Sequence, residues 1–133
     1  MRTDWKKLLL STLFSGIGMW ITAGLWHNLI LPNVNKNIQP HHEGLSMMLV
    51  AYFILALLMT YIYSLLIKNN KSIIDGLKFG MIIGVLWVFP HGLAMAGAHE
   101  SSIIYEIKNT IWHMIEQGIG GIIIALILEY KKS

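Results

Sequence analysis

Cysteine is absent from the 133-residue sequence, which excludes disulfides, thiolate zinc sites, iron–sulfur clusters and cysteine nucleophiles. Charged residues are also scarce, at 13% of the chain, whereas soluble domains contain about 25%. Because 55% of the residues are hydrophobic, the composition indicates an integral membrane protein that lies within the lipid bilayer. The net charge of +3 does not indicate nucleic-acid binding, since the basic residues flank apolar runs.

Four apolar runs are long enough to cross a bilayer, for which about 20 residues of helix suffice. They predict an all-α protein, a single domain over 1–133, with transmembrane helices at about 8–31, 45–67, 73–98 and 103–128. We expect a compact bundle, because Gly76, Gly80 and Gly84 recur every four residues and let a neighbouring helix approach closely. The first run is longer than the hydrophobic region of a signal peptide, so we interpret it as an uncleaved span.

The basic residues predict the orientation of the spans. Of the ten Lys and Arg residues, eight fall on one side of the predicted spans: Arg2, Lys6, Lys7, Lys68, Lys71, Lys78, Lys131 and Lys132. Only Lys36 and Lys108 fall on the other side. Both termini are therefore expected in the cytoplasm, and we expect the cytoplasmic membrane of a bacterium or archaeon.

The fourth span has a polar side and an apolar side. On a helix of about 100° per residue, its polar side chains share one arc of roughly 120°, and they are Glu106, Asn109, Thr110, His113, Glu116 and Gln117. The opposite arc contains isoleucines and a methionine, including Ile107, Ile111 and Ile115. Since ionisable groups are expensive in hydrocarbon, the polar arc must face protein, water or an ion.

All six histidines fall in the predicted outer half of the protein. At 1.5 Å per residue, His27 lies about 6 Å deep, His91 about 10 Å, His113 about 15 Å and Glu116 about 20 Å. Imidazole and carboxylate groups suit zinc, copper and iron. The sequence therefore predicts a metal site formed by His27, His91, His113 and Glu116.

Two further groups of residues belong to this prediction. Outer loops hold residues that we expect to capture a metal ion or to support its ligands, namely His41, His42, Glu43, His99 and Glu100. Asn109 and Gln117 are expected to support the ligands through hydrogen bonds. Haem b is the alternative to a bare ion, held by His113 together with His91 or His27.

Two other functions remain open at this stage. A graded series of His and Glu side chains is typical of proton relays, with Glu116 as the gate. Alternatively, the chain is a non-catalytic accessory subunit of a larger membrane complex, or a homodimer that packs through its glycines. No nucleophile or acid–base motif stands out, so the sequence does not decide whether the protein is an enzyme.

Overall fold

A computed structural model describes residues 4–26, 42–66, 72–99 and 102–129. They form four helices: α1 (Trp5–Leu25), α2 (His42–Leu66), α3 (Ile73–His99) and α4 (Ile103–Glu129). Each helix contains a stretch that is long and apolar enough to span a membrane. The predicted all-helical fold with four candidate spans is therefore confirmed.

Helices α1 and α2 each begin three residues before the predicted boundary. The Asp4 carboxylate caps α1 by accepting a hydrogen bond from the backbone N–H of Lys6 at 3.1 Å. Helix α2 begins at His42, so the prediction that His42 and Glu43 lie in a loop was wrong. We had equated each helix with its apolar run, but backbone hydrogen bonds continue a helix into polar residues beyond that run.

The start of α3 is fixed by a reciprocal pair of caps. The Ser72 backbone N–H donates to Asp75 Oδ2 at 2.9 Å, and the Asp75 N–H approaches Ser72 Oγ at 3.3 Å. This arrangement satisfies two backbone donors that a helix terminus otherwise leaves without partners. From there α3 runs unbroken through Pro90 to His99, the residue predicted to start the third loop.

Helix α4 is the centre of the arrangement. It packs most extensively against α3 and also against α1, while α2 packs mainly on α1 and touches α4 and α3 more lightly. In the described residues α1 and α3 make no contact with each other, because α4 lies between them. We call the end with Trp5, Leu66, Ile73 and Glu129 the terminal end, and the end with Leu25, His42, His99 and Ile103 the loop end.

The predicted glycine ladder of α3 forms the contact with α4. Gly76 meets the backbone of Gly121, Gly80 that of Gln117, and Gly84 that of His113. A Cβ atom at Gly84 would lie 2.6 Å from the His113 carbonyl oxygen, which is too close for any side chain. The two backbones therefore approach each other directly, as small residues allow within membranes.

The two sides of α4 face different surroundings, as its sequence predicts. Ile107, Ile111 and Ile115 are 44%, 53% and 50% exposed and would face lipid. Glu116 and Gln117 on the opposite side are fully buried. The polar arc of α4 therefore faces the other helices.

Candidate functional site

A carboxylate lies in the centre of the protein, at Glu116. This residue is fully buried, and it lies in the middle of α4, about 20 Å from either end of that helix at 1.5 Å per residue. The Gln117 side-chain amide donates a hydrogen bond to Glu116 Oε1 at 2.9 Å. The other oxygen, Oε2, has no hydrogen-bond partner among the described residues. Half of the hydrogen-bonding capacity of this carboxylate is therefore available.

His113 is the one ion-pair partner of Glu116 in the described part of the chain. Its Nδ1 lies 3.5 Å from Glu116 Oε1, and the two residues are three positions apart on α4. This distance exceeds that of a good N–H···O hydrogen bond, about 2.9–3.0 Å. The His113 side chain is 19% exposed, whereas that of Glu116 is not exposed at all. His113 therefore links the buried carboxylate to a less enclosed region.

Helix α2 adds a third group to this site. Tyr52 is half-buried, and its phenol lies close enough to the Glu116 carboxylate for the two groups to interact electrostatically. No sequence pattern links Tyr52 to Glu116, because their proximity depends on how α2 lies beside α4. We call Tyr52, His113, Glu116 and Gln117 the central cluster.

Two tryptophans stack between α4 and the loop end of α1. Trp112 is 7% exposed and stacks on Trp26, with 4.2 Å between the ring centroids and 11° between the ring planes. Its burial places Trp112 inside the bundle and not at the lipid-facing surface. The indole N–H of Trp112 has no hydrogen-bond partner among the described residues. A polar donor is therefore available beside His113.

Buried hydroxyl groups occupy the half of the protein nearer the terminal end. Ser11, Ser15 and Thr60 are all fully buried. Ser15 Oγ donates to the Ser11 carbonyl oxygen at 2.6 Å, while Ser11 Oγ and Thr60 Oγ1 have no partner among the described residues. Nearer the terminal end, the Tyr63 hydroxyl donates to Glu129 Oε1 at 3.0 Å. Polar groups therefore continue from the central cluster towards the terminal end.

The predicted metal-ligand set is brought together only in part. His113 and Glu116 are neighbours, whereas His91 is exposed and lines an open cleft of about 580 Å³ between α3 and α4. Within residues 4–26, 42–66, 72–99 and 102–129, no three His, Asp or Glu side chains are grouped so as to hold a metal ion. The described residues therefore bring together two of the four predicted ligands, His113 and Glu116. His27 lies outside the described residues.

The other predicted supporting residues divide in the same way. Gln117 bonds to Glu116, and Asn109 instead lines the cleft with His91. His99 is the exposed last residue of α3. His41 and Glu100 lie outside the described residues, as do the side chains of His42 and Glu43.

Comparison with known proteins gives no further guide to this site. No family model matches the chain, and neither a curated protein nor a solved structure shows significant similarity to it. The function must therefore be argued from the central cluster itself.

Proposed function

We propose that this protein spans a membrane and transfers protons through it, with the Glu116 carboxylate as the group that binds and releases the proton. The observation that carries the proposal is the full burial of Glu116, with His113 as its one ion-pair partner in the described chain. A purely structural carboxylate is expected to be fully hydrogen-bonded and balanced by a cation. Glu116 instead keeps Oε2 without a partner among the described residues.

Electrostatics supports a change of protonation at this position. An ionised carboxylate in a region of low dielectric constant costs several kcal/mol unless a cation balances it. His113 balances that charge when the imidazole is protonated, and a proton on Glu116 removes the charge altogether. The pair therefore has two states in which no net charge is left buried, and they differ in which residue holds the proton.

Between the loop end and Glu116, His113 carries the proton. A movement of about 0.5 Å would bring its Nδ1 within ordinary hydrogen-bonding distance of Glu116 Oε1. The Nδ1 proton of the imidazolium then passes to Oε1, which leaves a neutral His113 whose remaining proton is on Nε2. The imidazolium forms again when the free Nδ1 nitrogen, after rotation of the ring, takes up a proton from water on the loop-end side. The Tyr52 hydroxyl lies near the same carboxylate, and a hydrogen bond donated by it would stabilise the ionised form.

Between Glu116 and the terminal end, we expect hydroxyl groups and intervening water molecules to carry the proton. Along α2, Thr60 lies about 12 Å beyond Tyr52 at 1.5 Å per residue, a gap that ordered waters have to fill. Thr60 Oγ1 and Ser11 Oγ are buried and lack partners in the described residues, so both are free to bind such waters. The Tyr63–Glu129 hydrogen bond lies further along, towards the terminal end.

The distribution of lysine and arginine sets the direction that we propose. Eight of the ten basic residues belong to the terminal end and its flanking segments, which supports a cytoplasmic location for that end. His113 then connects Glu116 to the outer face of a bacterial or archaeal cytoplasmic membrane. Protons would enter from outside through His113 and leave through the hydroxyl groups.

The proposal is tested by proton flux into liposomes that contain the purified protein and a pH-sensitive dye. An imposed membrane potential should drive proton entry with the wild type and not with Glu116→Gln, which keeps the shape of the side chain but cannot ionise. Glu106→Gln is the matched control, because it neutralises another buried carboxyl of α4 outside the central cluster. Equal flux in the wild type and in Glu116→Gln would contradict the proposal.

Two further measurements on the same purified protein test the other predicted functions, the metal centre and the accessory subunit. They are the bound metal content and the proteins that co-purify. Stoichiometric copper, zinc or iron that is lost in His113→Ala would favour the metal-centre hypothesis, and a haem spectrum would favour its haem form. A stoichiometric partner retained in mild detergent, with no proton flux, would favour an accessory subunit.

A further inference from the structure

An open cleft lies between α3 and α4 near the loop end. It has a volume of about 580 Å³ and is lined by Trp87, Val88, His91, Gly92, Met95, Tyr105, Glu106 and Asn109. None of these residues belongs to the central cluster, and proton transfer through Glu116 does not use the cleft. Its function is therefore a separate question.

Glu106 is the buried acidic group of this cleft. The residue is only 8% exposed, and one of its carboxylate oxygens occupies the space that a side chain on Gly92 would fill. Within the described residues, hydrogen bonds to Glu106 involve its backbone N–H and carbonyl alone, and no Lys, Arg or His forms an ion pair with it. A buried carboxylate with no partner among the described residues, in a cleft whose described lining has no basic side chain except His91, favours a cationic ligand.

The other walls of the cleft suit a cation that carries an apolar body. Tyr105, next to Glu106 in the sequence, is 56% exposed, and aromatic faces attract ammonium groups. Trp87 is 51% exposed and provides apolar surface deeper in the cleft. Met95 and Val88 add apolar surface to the same walls.

The depths of the polar and apolar walls differ. Glu106 lies three residues inside α4, about 5 Å from its loop end, and Trp87 lies twelve residues inside α3, about 18 Å from its loop end. The charged group is therefore at the level of lipid headgroups, whereas the aromatic wall extends to the depth of acyl chains.

We propose that this cleft binds the ammonium group of an amphiphile, with the ammonium against Glu106 and the hydrocarbon along Val88 and Trp87. Two sources share this chemistry, an aminophospholipid of the membrane and a free long-chain amine. His91 and Asn109 border the headgroup position. They offer hydrogen bonds to a phosphate or hydroxyl beside the ammonium.

Lipid retention tests the proposal, with the protein placed in nanodiscs that contain equal parts of phosphatidylethanolamine and phosphatidylglycerol. After mild extraction, native mass spectrometry counts the bound molecules, and a second sample is titrated with dodecylamine. Phosphatidylethanolamine retention supports a lipid source, and dodecylamine retention alone supports a free amine. In either case Glu106→Gln should weaken retention by about tenfold, because the charge pair is lost.

Two further variants keep the result interpretable. Gly92→Ala keeps the charge but places a methyl group where the Glu106 carboxylate lies, so it should also weaken retention. Glu129→Gln, at the other end of the same helix, should leave retention unchanged. Retention of neither amine, or equal retention in the wild type and in Glu106→Gln, would overturn the proposal.

Discussion

Replacement of Gly80 by alanine should force α3 and α4 apart. A Cβ at this position would collide with the Gln117 carbonyl oxygen, and it would lie 2.6 Å from the Gln117 carbonyl carbon and 2.8 Å from the Gly118 Cα. All three are backbone atoms of α4, so no side-chain rotation relieves the clash. Overpacking of this kind costs about 1–3 kcal/mol, and occasionally more.

Gly97 provides the matched control on the same helix. A Cβ there would meet no atom within 4 Å, so Gly97→Ala should leave stability unchanged or raise it by up to about 1 kcal/mol through helix propensity. The assay is the free energy of unfolding in mixed detergent micelles. If Gly80→Ala and Gly97→Ala gave the same value, the close approach of α3 and α4 would be refuted.

Two further predictions concern single contacts. Tyr63→Phe removes a hydrogen bond of 3.0 Å to the Glu129 carboxylate, and it should lower the free energy of unfolding by about 1.5–3 kcal/mol, as expected for a hydrogen bond to a charged group. The same substitution in a Glu129→Gln background should cost less. If it lowered the free energy of unfolding equally in both backgrounds, the two residues would not be coupled. Trp26 and Trp112 stack at 4.2 Å, so a double-mutant cycle with leucine at both positions should give a coupling energy of about 0.5–1.5 kcal/mol. Zero coupling there would contradict the stacked arrangement.

The sequence predicted those parts of the fold that depend on one helix at a time. The four apolar runs gave the candidate spans, and the four-residue spacing of Gly76, Gly80 and Gly84 gave the face that packs on α4. The polar arc of α4 likewise predicted that Glu116 and Gln117 face away from lipid, and both are buried among the helices. Each of these follows from helical periodicity alone, so no knowledge of the neighbouring helices was needed.

The arrangement of the helices around one another was not predictable in this way. We had placed His91 and His113 in one layer because their depths were similar, but depth does not specify position around a bundle. In the part of the chain that the structure describes, α3 packs on α4 and not on α1, and His91 consequently faces an open cleft. For the same reason the contact of Tyr52 with Glu116 was missed, since it depends on how α2 lies beside α4.

The most direct test of the central claim is infrared spectroscopy of the Glu116 carboxyl group during a pH titration in lipid. Glu116→Gln serves as the spectral reference, because it removes only the carboxyl band of this residue. The account predicts a protonated carboxyl band that is absent from Glu116→Gln and that disappears reversibly as the pH rises while the protein stays folded. A Glu116 carboxyl that keeps one protonation state throughout the titration would contradict the account.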